Sequence, residues 1–176
     1  MPIWGLENPL VIEPLDKSRH GRTGFSCGVP ALDSYLQRQA AQDVEKRAAV
    51  VYIAVIEAPA IAGFYTLSQF SIELAQLPES VTRRLSRYPA VSVTLLGRLA
   101  VANSLHGRGL GEALLFDALR RSLAQSAHIA SAGVVVDAKD EKAAAFYRKY
   151  GFLPVCGSDR RLFLHIKTME QSFRAG

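Results

Sequence analysis

A glycine-rich turn between an apolar run and an amphipathic helix restricts this chain to folds in which a strand leads into a helix. Residues 95–101 (LLGRLAV) have the composition of a buried strand, and residues 106–111 (HGRGLG) form the turn. Helical periodicity follows over residues 112–125. Glycines allow the backbone to approach a ligand closely, and the unpaired N–H groups of a first helical turn attract anions. The turn therefore predicts a phosphate-binding site.

The spacing of these glycines excludes two common phosphate-binding motifs. A P-loop requires G-x-x-x-x-G-K-S/T, which residues 106–111 do not match. A dinucleotide fingerprint requires G-x-G-x-x-G, whereas the glycines here alternate with single residues. Short glycine motifs also occur by chance, so a glycine-rich connection without a ligand is the alternative interpretation of the turn alone.

Length and composition favour an ordinary globular protein. At 176 residues, the chain is expected to form a single domain, residues 1–176. No apolar run reaches the length of about 18 residues that a membrane span needs, and residues 1–7 lack the pattern of a signal peptide. The two cysteines, Cys27 and Cys156, belong to no metal-binding pattern. We expect a cytoplasmic protein with no metal ion and no membrane contact.

The chain is basic, with a formal net charge of +5 at pH 7. Much of the excess lies in pairs and triplets of arginines, namely Arg19 and Arg22; Arg83, Arg84 and Arg87; Arg120 and Arg121; Arg160 and Arg161. Arginine forms bidentate contacts with phosphate, and a basic surface favours a polyanionic partner such as RNA or DNA. The alternative is a protein that is basic without such a partner.

Periodicity and turn residues predict alternating strands and helices. Pro30 and Asp140 have the positions of helix starts, Pro78 precedes a short helix, and Gly151 has the position of a helix end. The predicted order is a strand at 10–15, a helix at 30–45, strands at 48–56, 60–68 and 90–101, a helix at 112–125, a strand at 132–137, a helix at 141–150, and strands at 152–156 and 161–166.

This order and two motifs resemble the GNAT acetyltransferases. Residues 106–111 resemble the family's acyl-CoA loop, Q/R-x-x-G-x-G/A, with His106 at the first position. Residues 140–152 resemble N-x-x-A-x-x-F-Y-x-x-x-G-F, with Asp140 in place of asparagine. The resemblance implies an α/β GNAT fold, in which a mixed, mostly antiparallel sheet is flanked by helices and splayed at the acetyl-CoA site.

The resemblance also implies roles for individual residues. Acetyl-CoA is the co-substrate: the glycine loop holds its diphosphate, and the end of the central strand pairs with its pantetheine arm. The implied acetyl-CoA contacts are Leu99, Ala100, Val101, His106, Gly107, Arg108, Gly109, Leu110, Gly111, Glu112, Asp140 and Phe146. Tyr147 is the implied catalytic acid, with a core aromatic as its alternative. No base stands out among the candidates Glu13, Glu57, Glu73, Glu79 and Asp137.

The N-terminal part resembles one branch of that family more specifically. Residues 25–36 (FSCGVPALDSYL) resemble F-x-C-G-x-x-x-L-D/N-x-Y/W-L, and residues 96–101 read LGRLAV. Both patterns are found in the GNAT toxins of toxin–antitoxin pairs. Membership implies acetylation of the α-amino group of aminoacyl-tRNA, which blocks translation. It also implies a ribbon-helix-helix antitoxin as partner and a homodimer.

Basic residues are the expected contacts to the tRNA. They are Arg38, Arg83, Arg84, Arg87 and Arg98, together with Lys46 and Arg47. Arg98 stands beside the buried strand end, where it holds either the substrate or a phosphate, or forms a salt bridge to a nearby carboxylate. Two other functions stay open: acetylation of a small amine or a protein N-terminus, and a non-catalytic module that binds RNA or CoA.

Overall fold

The computed structural model describes residues 8–85 and 87–175, and its strands form one seven-stranded sheet. The strands are β1 (Val11–Pro14), β2 (Val50–Val55), β3 (Ile61–Glu73), β4 (Ala90–Val101), β5 (Gly133–Asp137), β6 (Leu153–Pro154) and β7 (Arg161–His165). Their order in the sheet is β1-β2-β3-β4-β5-β7-β6. The pair β4–β5 is parallel, while β1–β2, β2–β3, β5–β7 and β6–β7 are antiparallel. The predicted mixed, mostly antiparallel sheet is confirmed.

Helices lie between the strands at the predicted places, and one further helix follows the last strand. They are α1 (Pro30–Ser34), α2 (Ala40–Glu45), α3 (Glu79–Thr82), α4 (Leu110–Gln125), α5 (Glu141–Lys149) and α6 (Ile166–Arg174), with short 3-10 turns at Leu74–Gln76 and Asn103–Leu105. Pro30 opens α1, and the Asp140 side chain accepts the Ala143 N–H at the start of α5. Gly151 follows α5 with a φ of 90°. These three local signals are confirmed because each is set by the chemistry of one residue.

Four predicted elements differ from the structure, one by an internal interruption and three at a boundary. The helix predicted at 30–45 is interrupted by a π-helical turn, Tyr35–Gln39. The strand predicted at 60–68 extends to Glu73, and the one predicted at 152–156 has only two residues. The last strand stops at His165, whose side chain caps a helix, α6, that we did not predict. Local propensity does not record these features, which depend on individual side-chain contacts.

The chain divides into two compact units. The first comprises Met1–Ser68 and Gly97–Ala118. Its core contains Leu36, Ile53 and Phe64, all fully buried, with Ala100 of β4. The Phe25 and Phe64 rings meet edge to face, with centroids 5.5 Å apart. Residues 1–7, in which we found no signal-peptide pattern, lie outside the described residues.

The second unit comprises Gln69–Leu96 and Leu119–Gly176. Its core contains Ile72, Val93, Val135 and Phe163. β5 is buried at four of its five positions, as is typical of a parallel strand covered on both faces. None of the helices within residues 8–85 and 87–175 is long and apolar enough to cross a membrane.

Candidate active site

The glycine-rich turn has an open backbone. Gly107 and Gly109 have φ values of 77° and 80°, a region that L side chains rarely adopt. A Cβ atom built on either glycine would meet no heavy atom within 4 Å. Both residues are exposed, and α4 begins directly afterwards at Leu110. The turn therefore offers its backbone to solvent, or to a ligand, at the start of a 16-residue helix.

The first turn of α4 has free donors. The first intrahelical bond runs from the Ala113 N–H to the Gly109 carbonyl, at 3.1 Å. No group among the described residues accepts a hydrogen bond from the backbone N–H of Leu110, Gly111 or Glu112. Free N–H groups at a helix N-terminus attract anions, and the helix dipole adds to the attraction. The arrangement fits a diphosphate.

Two hydrogen bonds fix the path of the chain into this turn. The His106 ring nitrogen Nε2 lies 2.8 Å from the Val101 carbonyl oxygen, which closes the segment between β4 and the turn. The Asn103 N–H donates to the Ser26 carbonyl at 2.9 Å. The resemblance implied an acetyl-CoA contact for His106, whose Nε2 atom is engaged with the strand end. The side chain thus links the turn to the end of β4.

The end of β4 extends beyond its parallel partner. Pairing between β4 and β5 covers Thr94–Val134, Leu95–Val135 and Leu96–Val136. β4 then continues to Val101, with Ala100 buried and Leu99 and Val101 half-buried. A backbone segment beyond a ladder can pair with an extended ligand as an added strand.

Tyr147 lies on α5, in the second unit. Its residue is 8% exposed, and its ring contacts Phe146 and Phe152 at centroid distances of 5.2 and 5.4 Å. Burial raises the pKa of Tyr147 to about 12. Within the described part of the chain, no side chain or backbone group forms a hydrogen bond with its hydroxyl. The phenol is thus held in place by apolar contacts, remains protonated at neutral pH, and keeps its hydroxyl available.

Phe146 precedes Tyr147 on α5, and Tyr150 follows that helix as its C-cap residue. Phe146 is half-buried, and its ring lies 5.2 Å from that of Tyr150. Tyr150 therefore packs in an aromatic cluster. Asp140, the implied acetyl-CoA contact at the start of α5, uses its carboxylate as the helix cap. This hydrogen bond to the Ala143 N–H is the main reason that the pKa of Asp140 is lowered.

Arg98 occupies an environment that we did not predict. Its guanidinium carbon lies 3.6 Å from the centroid of the Tyr35 ring. The Tyr35 hydroxyl donates to Asp43 at 2.9 Å, so the expected carboxylate is present but contacts the tyrosine. Sequence reasoning missed Tyr35 and Asp43. Tyr35 occupies the Y/W position of the N-terminal motif, which is the signal that could have identified it.

The other predicted substrate residues differ in their surroundings. Arg38, Arg84 and Arg87 are exposed. Arg83 is exposed as well, but it forms an ion pair with Glu79 at 2.7 Å. Such an exposed pair contributes little to stability and is easily exchanged for another anion.

Three of the candidate bases are held by cations. Glu13 contacts Arg19 at 2.9 Å and His20 at 3.0 Å. Glu79 pairs with Arg83. Asp137 accepts two hydrogen bonds from Arg161, at 2.7 and 2.9 Å. Each of these carboxylates is already engaged by a cation, so this geometry disfavours all three as the general base.

Comparison with known proteins identifies the family. Residues 47–154 match the sequence pattern of the acetyltransferase (GNAT) domain. A probable toxin TacT of Sinorhizobium fredii is 31% identical over 170 residues, which cover 90% of this chain and 92% of that protein. A tRNA-acetylating toxin of Mycobacterium tuberculosis is 35% identical over 130 residues, which cover 74% of this chain and 76% of that protein.

Solved structures of related toxins share the fold. AtaT complexed with acetyl-methionyl-tRNAfMet is 30% identical, with a TM-score of 0.87 over 94% of this chain and 99% of that one. A mutant of the toxin AtaT bound to the C-terminus of the antitoxin AtaR and to acetyl-CoA is 27% identical, with a TM-score of 0.81 over 95% of this chain and 99% of that one. This chain belongs to the GNAT acetyltransferase family, in the branch of the tRNA-acetylating toxins.

Proposed function

We propose that this protein transfers an acetyl group from acetyl-CoA to the α-amino group of aminoacyl-tRNA, and that it thereby acts as a translation-blocking toxin. The observation that carries this proposal is the likeness, along 94% of the chain, to AtaT complexed with acetyl-methionyl-tRNAfMet. A blocked α-amino group cannot attack the next peptidyl ester, so an acetylated aminoacyl-tRNA cannot extend a peptide as an acceptor.

Acetyl-CoA binding is assigned to the turn and to the strand end before it. The free N–H groups of Leu110, Gly111 and Glu112 hold the diphosphate, and Gly107 and Gly109 leave room for it. Arg108, which is exposed beside them, adds a positive charge. Backbone groups of residues 99–101 pair with the amides of the pantetheine arm, and one N–H polarises the thioester carbonyl. Phe146 contributes an apolar contact.

The reaction exchanges one bond for another at the thioester carbon. The neutral amine forms a C–N bond, the C–S bond breaks, and the thiolate leaves with the electron pair. The proton lost by the amine balances the proton gained by the thiolate. An α-amino group has a pKa of about 7.7–8.0, and esterification lowers this pKa further, so a relay through water suffices as the base.

Tyr147 is assigned to the leaving thiolate. A thiol has a pKa of about 8.5, below the value of about 12 to which burial raises the pKa of Tyr147. The thiolate is therefore a weaker base than the tyrosine anion. Tyr147 stabilises the thiolate by donating a hydrogen bond to it. The tyrosine proton moves to the sulfur only as the proton from the amine returns to the tyrosine oxygen. The apolar contacts of Tyr147 with Phe146 and Phe152 keep the hydroxyl oriented.

The tRNA is bound mainly through its phosphates. Arg38, Arg84 and Arg87 supply exposed guanidinium groups, supported by Arg83, Lys46 and Arg47. Phosphate contacts supply most of the non-specific affinity for nucleic acids. This assignment fits the formal net charge of +5.

The remaining proposals concern assembly and location. A ribbon-helix-helix antitoxin neutralises this protein, as the complex of AtaT with the C-terminus of AtaR supports. The chain acts as one functional domain, residues 1–176, forms a homodimer, and works in the cytoplasm, where charged tRNA is found.

An assay with labelled acetyl-CoA tests the proposed function. The protein is incubated with total charged tRNA, with the same tRNA after deacylation, and with free amino acids, polyamines and peptides. We expect label on charged tRNA alone. Label on free amines or on peptide N-termini, without label on charged tRNA, would contradict the proposal and favour a small-amine or N-terminal acetyltransferase.

A further inference from the structure

Arg98 is held on an aromatic platform that belongs to the core of its unit. The Tyr35 ring beneath it is 3% exposed and lies nearly parallel to the Phe64 ring, at a centroid distance of 6.1 Å. The hydrogen bond from Tyr35 to Asp43 fixes the far end of the ring. A cation within about 6 Å of a ring centroid is attracted to the ring face, and 3.6 Å is a close stack. The position of the guanidinium is therefore set before any ligand binds.

The stack leaves the hydrogen-bond donors of Arg98 unused. A guanidinium is planar, so a ring on its face leaves the five N–H groups free at its edges. Arg98 is half-buried, and among the described residues no carboxylate or carbonyl accepts from it. In the described part of the chain, no buried side-chain nitrogen lacks a hydrogen-bond partner, so the donors of Arg98 reach solvent and are available to an incoming anion. The edge of Arg98 therefore has the chemistry of a site for a phosphate or a carboxylate.

A rare helical turn sets the position of the platform. Tyr35 begins the π-helical turn Tyr35–Gln39, in which the Ala40 N–H donates to the Tyr35 carbonyl. Wide turns of this kind are uncommon and occur frequently at functional sites. Tyr35 and Arg98 are distant in sequence, and both lie in the first unit. The irregular turn and the unpaired guanidinium are independent observations on the same contact.

We propose that Arg98 binds the phosphodiester that joins the last two nucleotides of the acceptor RNA. This inference rests on the proposed function. In an aminoacyl ester, the amino acid has no free carboxylate, so the phosphodiester before the terminal adenosine is the anion nearest to the reacting amine. The coenzyme also carries phosphates, but its diphosphate has its own donors at the glycine turn. Arg98 thus positions the RNA terminus through one phosphate.

A substrate series tests the assignment. One charged tRNA keeps the natural linkage between its last two nucleotides, and a second carries an uncharged methylphosphonate there; both are charged chemically with the same amino acid. Wild-type protein should lose at least ten-fold in kcat/KM with the uncharged linkage. Arg98→Gln should be slow on the natural tRNA and indifferent to the linkage. Arg22→Gln, which removes the same charge elsewhere in the unit, should keep the wild-type sensitivity.

Two outcomes would overturn the assignment. The first is wild-type protein that is indifferent to the linkage, or an Arg98→Gln variant that is as sensitive to it as wild type. The second concerns the phosphates of the coenzyme. If wild-type protein loses kcat/KM when acetyl-dephospho-CoA replaces acetyl-CoA, and Arg98→Gln shows no such loss, Arg98 binds the coenzyme and not the RNA. The same series measures wild-type activity on the natural charged tRNA. Absence of that activity would contradict the proposed function itself, which is a different result from either of these two.

Discussion

At the scale of single residues, Gly111 offers the sharpest test of acetyl-CoA binding. It is the second residue of α4, and its φ is not positive, unlike those of Gly107 and Gly109. An aspartate there stabilises the helix through the dipole, but opposes a diphosphate. We predict that Gly111→Asp keeps or raises Tm and weakens acetyl-CoA binding at least ten-fold, about 1.4 kcal/mol, as measured by calorimetry.

Gly111→Ala is the matched control, because it adds a Cβ atom without a charge. It should bind acetyl-CoA much more tightly than Gly111→Asp does. Wild-type affinity in a folded Gly111→Asp protein would show that the diphosphate binds elsewhere.

The hydroxyl of Tyr147 can be removed with little effect on packing. Tyr147→Phe keeps the ring contacts with Phe146 and Phe152, and loses only the donor to the thiolate. We predict an unchanged Tm, an acetyl-CoA affinity within about two-fold of wild type, and a fall in turnover of about 10²–10⁴-fold. Single-turnover kinetics with saturating charged tRNA measure the chemical step. Tyr150→Phe, at the C-cap of the same helix, is the control. Full turnover by Tyr147→Phe would assign the role to another group.

At the scale of elements, contacts between distant residues and one unusual helix cap explain what the sequence did not predict. The helical face of 30–45 was predicted, but the π-helical turn inside it is supported by Tyr35 contacts with Phe64, Asp43 and Arg98. α6 carries a helical pattern, with Met169 buried. Its start was missed because a histidine, which is not among the preferred N-cap residues, caps it.

That cap makes α6 sensitive to pH. The His165 Nδ1 atom accepts the Lys167 N–H at 3.2 Å, which requires an unprotonated nitrogen. Burial, followed by the charges of Arg84 and Lys167, lowers the pKa of His165, while Glu170 acts in the opposite direction. Because the folded state favours the neutral ring, its contribution to stability is present above the ordinary value of 6.5 and is lost as pH falls through the lowered pKa.

We predict that the Tm of the wild-type protein falls between pH 7.5 and pH 5. Loss of an N-cap is typically about 1 kcal/mol, which corresponds to about 2–4 °C in a chain of this size. Thermal melts of wild type and His165→Asn over this range provide the measurement. Asparagine keeps a capping acceptor and does not titrate, so the variant should lose less stability on acidification. Equal losses in both proteins would assign the pH dependence to other groups.

At the scale of the whole molecule, the excess of basic residues predicts tRNA binding that depends on salt. Arg84 and Arg87 are exposed. We predict that Arg84→Glu with Arg87→Glu weakens tRNA binding at least ten-fold, and reduces the log–log salt slope by about 0.9 for each duplex phosphate that the variant no longer binds. Filter binding at several salt concentrations measures both. Acetyl-CoA affinity should hold.

Lys167→Glu with Arg174→Glu is the control, since it makes the same change in net charge on α6. It should retain more tRNA affinity than the Arg84 and Arg87 pair. Equal losses in the two double variants would indicate a general effect of net charge, and would contradict a localised tRNA surface.

How far the sequence predicts the site depends on how local each contact is. The glycine turn and Tyr147 were predicted because each belongs to a short motif whose backbone is set by neighbouring residues. The platform of Tyr35 under Arg98 was not predicted, because it joins residues of the α1–α2 segment and β4 that meet only in the folded chain. The pairing of Asp137 with Arg161 was not predicted for the same reason, so Asp137 stood among the candidate bases.

The central claim is that the acetyl group is attached to the α-amino group of an aminoacyl-tRNA. Charged tRNA is incubated with the protein and acetyl-CoA, and is then digested with nuclease. Mass spectrometry of the released aminoacyl-adenosine tests the claim most directly. We predict an aminoacyl-adenosine that carries one acetyl group on its α-amino nitrogen with wild-type protein, and far less of it with Tyr147→Phe. Acetyl groups found only on free amino acids, on proteins or on RNA bases would contradict it.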